Sequence, residues 1–95
     1  MQYIKALPIA RAKEIRDDSS IVEIVIWQLD APLVPCWHHY KYRLYFGANG
    51  ECRVRYDNEQ GKGDHRHIGG CEESYPFVSI EQLLTDFQAD VEGWT

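Results

Sequence analysis

Tyr40-Lys41-Tyr42-Arg43-Leu44-Tyr45-Phe46-Gly47-Ala48-Asn49-Gly50-Glu51-Cys52-Arg53-Val54-Arg55-Tyr56 is the stretch on which the fold turns. Tyr40, Tyr42, Leu44 and Phe46 alternate with Lys41, Arg43 and Tyr45. After Gly47-Ala48-Asn49-Gly50 the same period returns, with Cys52, Val54 and Tyr56 against Arg53, Arg55 and Asp57. A period of two is that of a strand with one buried face, so the stretch predicts an antiparallel hairpin. Two loops compete to close it. A two-residue Asn49-Gly50 turn sets Leu44 opposite Arg55, apolar against charged. A three-residue loop, Ala48-Asn49-Gly50, pairs Phe46 with Cys52, Leu44 with Val54 and Tyr42 with Tyr56. The second keeps apolar on apolar and is the register expected.

That register places Arg43 opposite Arg55, Tyr45 opposite Arg53 and Lys41 opposite Asp57 on the outer face. Facing like charges cost roughly 0.2–1 kcal/mol, and nothing in the strand pattern demands them. Lys41, Arg43, Arg53 and Arg55 are therefore read as a phosphate- or RNA-binding face, against the plainer reading of a solvated basic surface.

Working outward, residues 21–29 are rich in Ile, Val and Trp and predict a strand, apolar on both faces and central in its sheet. Asp17-Asp18-Ser19-Ser20 reads as a turn, with residues 8–15 as the partner strand or, from Ala10, Ala12, Lys13 and Glu14, as helix. Residues 30–35 hold two prolines and form a connection. Near the C-terminus, Ser79 and Gln82 stand at capping-box spacing, with Val78 and Leu83 at the staple positions. Ile80, Leu83, Leu84, Phe87 and Val91 then recur at helical spacing, while Glu81, Asp86, Asp90 and Glu92 are expected to face water. The expectation is an α+β domain, a small antiparallel sheet of about four strands packed against a helix over Ile80–Glu92.

Ninety-five residues suit one domain, and 44% hydrophobic with 26% charged residues is an ordinary globular balance. The formal charge of −5 is unevenly spread. Residues 41–66 carry Lys41, Arg43, Arg53, Arg55, Lys62 and Arg66, whereas no Lys or Arg follows Ser74. Local sign governs the steering of a polyanion more than net charge does. Cys36, Cys52 and Cys71 are odd in number and share no metal-binding spacing, which suits reduced thiols in the cytoplasm. No apolar run approaches the roughly 18 residues of a membrane span, and no signal-like segment opens the chain, so no membrane association is expected.

The chemistry concentrates in residues 56–70, where Gly61, Gly63, Gly69 and Gly70 accompany Asp57, Lys62, Asp64, His65, Arg66 and His67. The glycines suggest a loop rather than a strand. His65 and His67 suit the base and acid of RNA cleavage, with Lys62, Arg66 and Arg55 on the phosphate and Asp57 or Asp64 orienting an imidazole. That chemistry needs neither metal nor cofactor. A metal reading uses Asp64, His65 and His67, with His38-His39 joining if the fold brings them near. A bland reading has these groups bonding the loop's own backbone. Gly61-Lys62-Gly63 lacks the spacing of a nucleotide-binding loop, and Cys71 has no visible activating context as a nucleophile.

Tyr40-Lys41-Tyr42-Arg43-Leu44, then Tyr56-Asp57-Asn58-Glu59 with Gly61-Lys62-Gly63-Asp64-His65-Arg66-His67, then Glu72-Glu73, Tyr75 and Phe77 resemble the TumE family. Ser79, Leu83-Leu84, Asp86-Phe87 and Asp90-Val91-Glu92 are similar to it too. The resemblance implies one toxin-like domain over residues 1–95, from a type II toxin–antitoxin module, with a helix-turn-helix antitoxin as partner. Some such toxins are grouped with RelE-like ribonucleases that cut mRNA, although this chain shows no clear pair of N-terminal helices of the RelE kind.

Overall fold

A computed structural model describes residues 5–94. Six strands and one helix follow one another: β1 (Ala6–Ile15), β2 (Ile21–Leu29), β3 (Tyr40–Ala48), β4 (Glu51–Glu59), β5 (Gly63–Ile68), β6 (Cys71–Ser74) and α1 (Ile80–Glu92). The strands form one antiparallel meander in the order β1-β2-β3-β4-β5-β6. The α+β expectation holds, with six strands where about four were expected. Residues 8–15 are strand, and residues 17–20 turn through Ser19 at φ 69°. β2 is flanked on both sides but is second from an edge.

Of the two additional strands, β5 arises within the segment read as a loop and β6 directly after it. Its glycines occupy turn positions, Gly61 and Gly63 at φ 85° and Gly69 at φ 62°, and leave residues 64–68 free to pair with β4. Gly69-Gly70 is a two-residue connection between Ile68 and Cys71.

The β3–β4 register differs from the one expected. Asn49 and Gly50, at φ 55° and 77°, form a two-residue turn, and Ala48 pairs with Glu51. Between Phe46 and Gly47 the register shifts, leaving Arg53 as the extra residue of a β-bulge. Beyond it Phe46 faces Val54, Leu44 faces Tyr56, Tyr45 faces Arg55 and Arg43 faces Asp57. The bulge thus reconciles a tight turn with apolar pairing. Arg43 and Arg55 do not oppose each other.

One sheet face carries the core. Ile26, Tyr42, Leu44, Phe46, Val54, Tyr56, Tyr75 and Phe77 pack with Leu83 and Phe87 of α1. The Ser79 hydroxyl accepts from the Gln82 amide at 3.0 Å and caps the helix, but Val78 is 64% exposed and forms no staple. Two of the carboxylates expected to face water do not. Tyr56 Oη donates to Asp90, and Tyr75 Oη donates to Asp86 Oδ2 at 2.5 Å. These bonds clip α1 to β4 and to the segment after β6.

Candidate functional site

The face turned away from α1 is built by the pleat and the register together. Arg43, Asp57, His65 and Ser74 lie side by side across β3 to β6, and the next row holds Tyr45, Arg55, His67 and Glu72. His-x-His in one strand puts both rings on this face, with centroids 5.9 Å apart.

His65 is the buried centre, its side chain 4% exposed. Its Nδ1 donates to the Gly63 carbonyl at 3.1 Å, and its Nε2 lies 2.5 Å from Asp57 Oδ1. That close approach is off the line of a hydrogen bond. His65 Nε2, Asp57 Oδ1 and Arg55 Nε are all buried and, among the described residues, without a hydrogen-bond partner. Arg55 Nε stands 3.3 Å from Asp57 Oδ2, and its terminal nitrogen donates to His67 Nε2 at 2.9 Å. His65 thus faces carboxylate and carbonyl oxygens, while His67 accepts from a guanidinium.

Glu72 closes the cluster from β6. Its carboxylate pairs with Lys62 and lies 3.7 Å from His65 Nε2 and 3.5 Å from His67 Nε2. The Lys62 ammonium holds Glu72 below its usual carboxylate range, and Glu72 raises Lys62 in turn. Sequence reasoning gave Glu72 no role in the site. The signal was present: Gly-Gly between two short alternating runs is a hairpin signature, and a hairpin there pairs His67 with Glu72.

Asp64, Arg66 and Arg53, all expected in the site, lie on the opposite face. Asp64 accepts from His38 Nε2 at 2.7 Å and from Tyr42 Oη at 2.6 Å, beside the buried Cys36. Burial pushes Asp64 up, but these bonds outweigh it and hold its carboxyl below the usual value. The metal reading of Asp64 with His65 and His67 is therefore wrong, as is a role for Asp64 in orienting either ring. His38 likewise joins Asp64 and not the histidine pair. Arg66 donates to Glu73 at 2.5 Å and to Tyr56 Oη at 3.1 Å, with Asp90 at 3.5 Å, so it braces the helix and takes no place beside His65. Arg53, turned by the bulge, stacks over Phe46 and Trp94. Lys41 stays near the open face but donates to the Asn58 carbonyl at 2.5 Å. Arg43 is the most exposed cation of the rows, 4.0 Å from Glu23.

Fold and site together define a small antiparallel α+β protein with a charged, histidine-bearing sheet face opposite helix α1. The chain belongs to the Toxin TumE family, whose model matches residues 4–95. Membership gives it a toxin role and points to an antitoxin as partner. No curated protein and no solved structure matched the chain. Among the described residues, no helix is long and apolar enough to cross a membrane.

Proposed function

We propose that this chain is a single-domain cytoplasmic toxin that acts on RNA, holding phosphate on the helix-free face and cleaving with His65 and His67. The observation that carries the reading is the differentiated pair of imidazoles. Asp57 lies against one and Arg55 against the other, on one face, with ring centroids 5.9 Å apart. A metal-free ribonuclease takes the 2′-hydroxyl proton with one group as that oxygen attacks phosphorus, and donates a proton to the departing 5′-oxygen with another, while cations neutralise the phosphorane. His67, whose Nε2 lone pair accepts from Arg55, suits the base once Arg55 turns to the phosphate. His65, with the Asp57 carboxylate against its Nε2 and the Gly63 carbonyl on its Nδ1, suits the acid. Arg55, Lys62 and Arg43 supply the positive charge. The partner in this reading is a helix-turn-helix antitoxin that covers the same face.

Purified chain is incubated with cellular RNA, and the cleaved ends are sequenced and their chemistry determined. The expected products end in 2′,3′-cyclic phosphate, and His65→Ala or His67→Ala slows cleavage by about 10²–10⁴-fold. Intact toxicity in both variants, with no cleavage of any RNA, removes the ribonuclease reading.

One observation favours a second reading, a non-catalytic module for nucleic acid or an acidic partner. Arg55, Lys62 and Arg43 each have a carboxylate within 4.0 Å, so much of the face's charge is internally balanced. Folded histidine variants that bind RNA but are no longer toxic favour the catalytic reading. Retained toxicity favours the module.

A further inference from the structure

The donor atoms of His65, His67 and Glu72 all lie within 4.8 Å of one another. Two of the separations, 3.7 and 3.5 Å from the Glu72 oxygen to the two Nε2 atoms, are close to the edge of a zinc tetrahedron. With bonds of about 2.0–2.1 Å that edge is roughly 3.4 Å. We propose that His65, His67 and Glu72 form a binding site for a divalent transition-metal ion of the zinc class, with a fourth position open to water.

The second observation is the state of His65. Its side chain is 4% exposed, and its Nε2, 2.5 Å from Asp57 Oδ1 but off the line of a hydrogen bond and 3.7 Å from Glu72, has no hydrogen-bond partner among the described residues. Buried polar atoms left in this way demand an explanation. Meanwhile its Nδ1 donates to the Gly63 carbonyl, the arrangement that orients a metal-bound histidine and turns the other nitrogen to the ion. Ligand chemistry agrees, since two imidazoles and one carboxylate are a zinc set that leaves an open position.

The other metal-like grouping, Cys36, His38 and Asp64, provides the contrast. There His38 Nδ1 accepts from the Tyr40 amide, and His38 Nε2 donates to Asp64. Burial, with Asp64 adding to it, pushes the Cys36 thiol up to about 11. That cluster is satisfied as it stands.

Loading the open-face site requires two cations to move. Arg55 leaves His67 Nε2, keeping its contact with Asp57, and Lys62 leaves Glu72. Two single charges withdraw and one double charge enters, so the electrostatic balance is preserved. The metal takes the lone pairs that the proposed proton transfers use. Occupancy of the site stands apart from the RNA reading; its consequence, inhibition of cleavage, rests on that reading.

The test uses the full chain with Zn²⁺ in competition with a chromophoric chelator, and with Co²⁺ as a spectroscopic probe. The expected result is one equivalent of zinc, and tetrahedral Co²⁺ bands without a thiolate charge-transfer band. Glu72→Gln and, separately, His67→Gln should weaken zinc binding by at least the 10–100-fold that even an outer partner of a metal ligand is worth. Cys36→Ser, Cys52→Ser and Cys71→Ser should leave it unchanged. Absence of binding, indifference to both ligand variants, or a thiolate band in the Co²⁺ spectrum overturns the site. Zinc binding with no RNA cleavage in either state supports the site and removes the RNA reading. Cleavage undiminished at full zinc occupancy overturns the competition.

Discussion

Gly47 sits where the β3–β4 hairpin changes register, and its lack of a side chain is what permits the change. A Cβ there overlaps the Tyr45 hydroxyl and the Glu51 carbonyl oxygen, and the second is backbone that cannot turn aside. Gly47→Ala is expected to cost about 1–3 kcal/mol, the usual range for overpacking, read as a lower midpoint in denaturant. An unchanged midpoint means that the bulge does not need glycine. Because the bulge also turns Arg53 toward Trp94, it decides which arginines share the open face. The thiols offer a second check at this scale. Cys71 is exposed, whereas Cys36 is buried, its thiol pushed up to about 11 by that burial and by Asp64. Alkylation under native conditions should label Cys71 first and Cys36 last, as peptide mapping over time will show. Early labelling of Cys36 contradicts the packing around it.

At the scale of elements, β4, β5 and β6 carry the site, and they differ in security. β4 is held on both sides and touches α1, whereas β6 is a four-residue edge strand, exposed throughout. Glu72, on that edge, is the member of the cluster best placed to move. If an antitoxin neutralises by covering this face, amide exchange of residues 56–70 should slow in the complex, by mass spectrometry of the two states. Protection confined to the acidic α1 indicates another mode of neutralisation. The helix was plain in the sequence because its signals are local: Ser79 with Gln82, and the apolar spacing from Ile80 to Val91. β5 was obscured because glycine's usual meaning, a break in structure, applied to the turns at its two ends and not to the residues between them. Its alternation, His65 and His67 against Asp64 and Arg66, was legible once the segment is taken as a strand.

For the whole molecule, the sheet separates two chemistries. The helix side uses Asp64, Arg66, Asp86 and Asp90 to fasten the fold, and the open side gathers the histidines with Arg43, Arg55 and Lys62. If the open side binds RNA, Arg43→Ala and Arg55→Ala should weaken binding. Each should also reduce the slope of log affinity against log salt by about 0.7, the worth of one phosphate contact on a single strand. Filter binding or anisotropy across a salt series reads both quantities, and a double variant with unchanged affinity and slope ends the phosphate-face reading. Alternation and caps determined β2, the two strands of the β3–β4 hairpin and the helix, because those depend on neighbours within a few positions. Only the tertiary structure decided that Asp57 and not Asp64 meets His65, that Glu72 completes the cluster, and that Arg43 faces Asp57. Those facts depend on register between strands, and register is set by a bulge and by two turns whose geometry no single strand encodes.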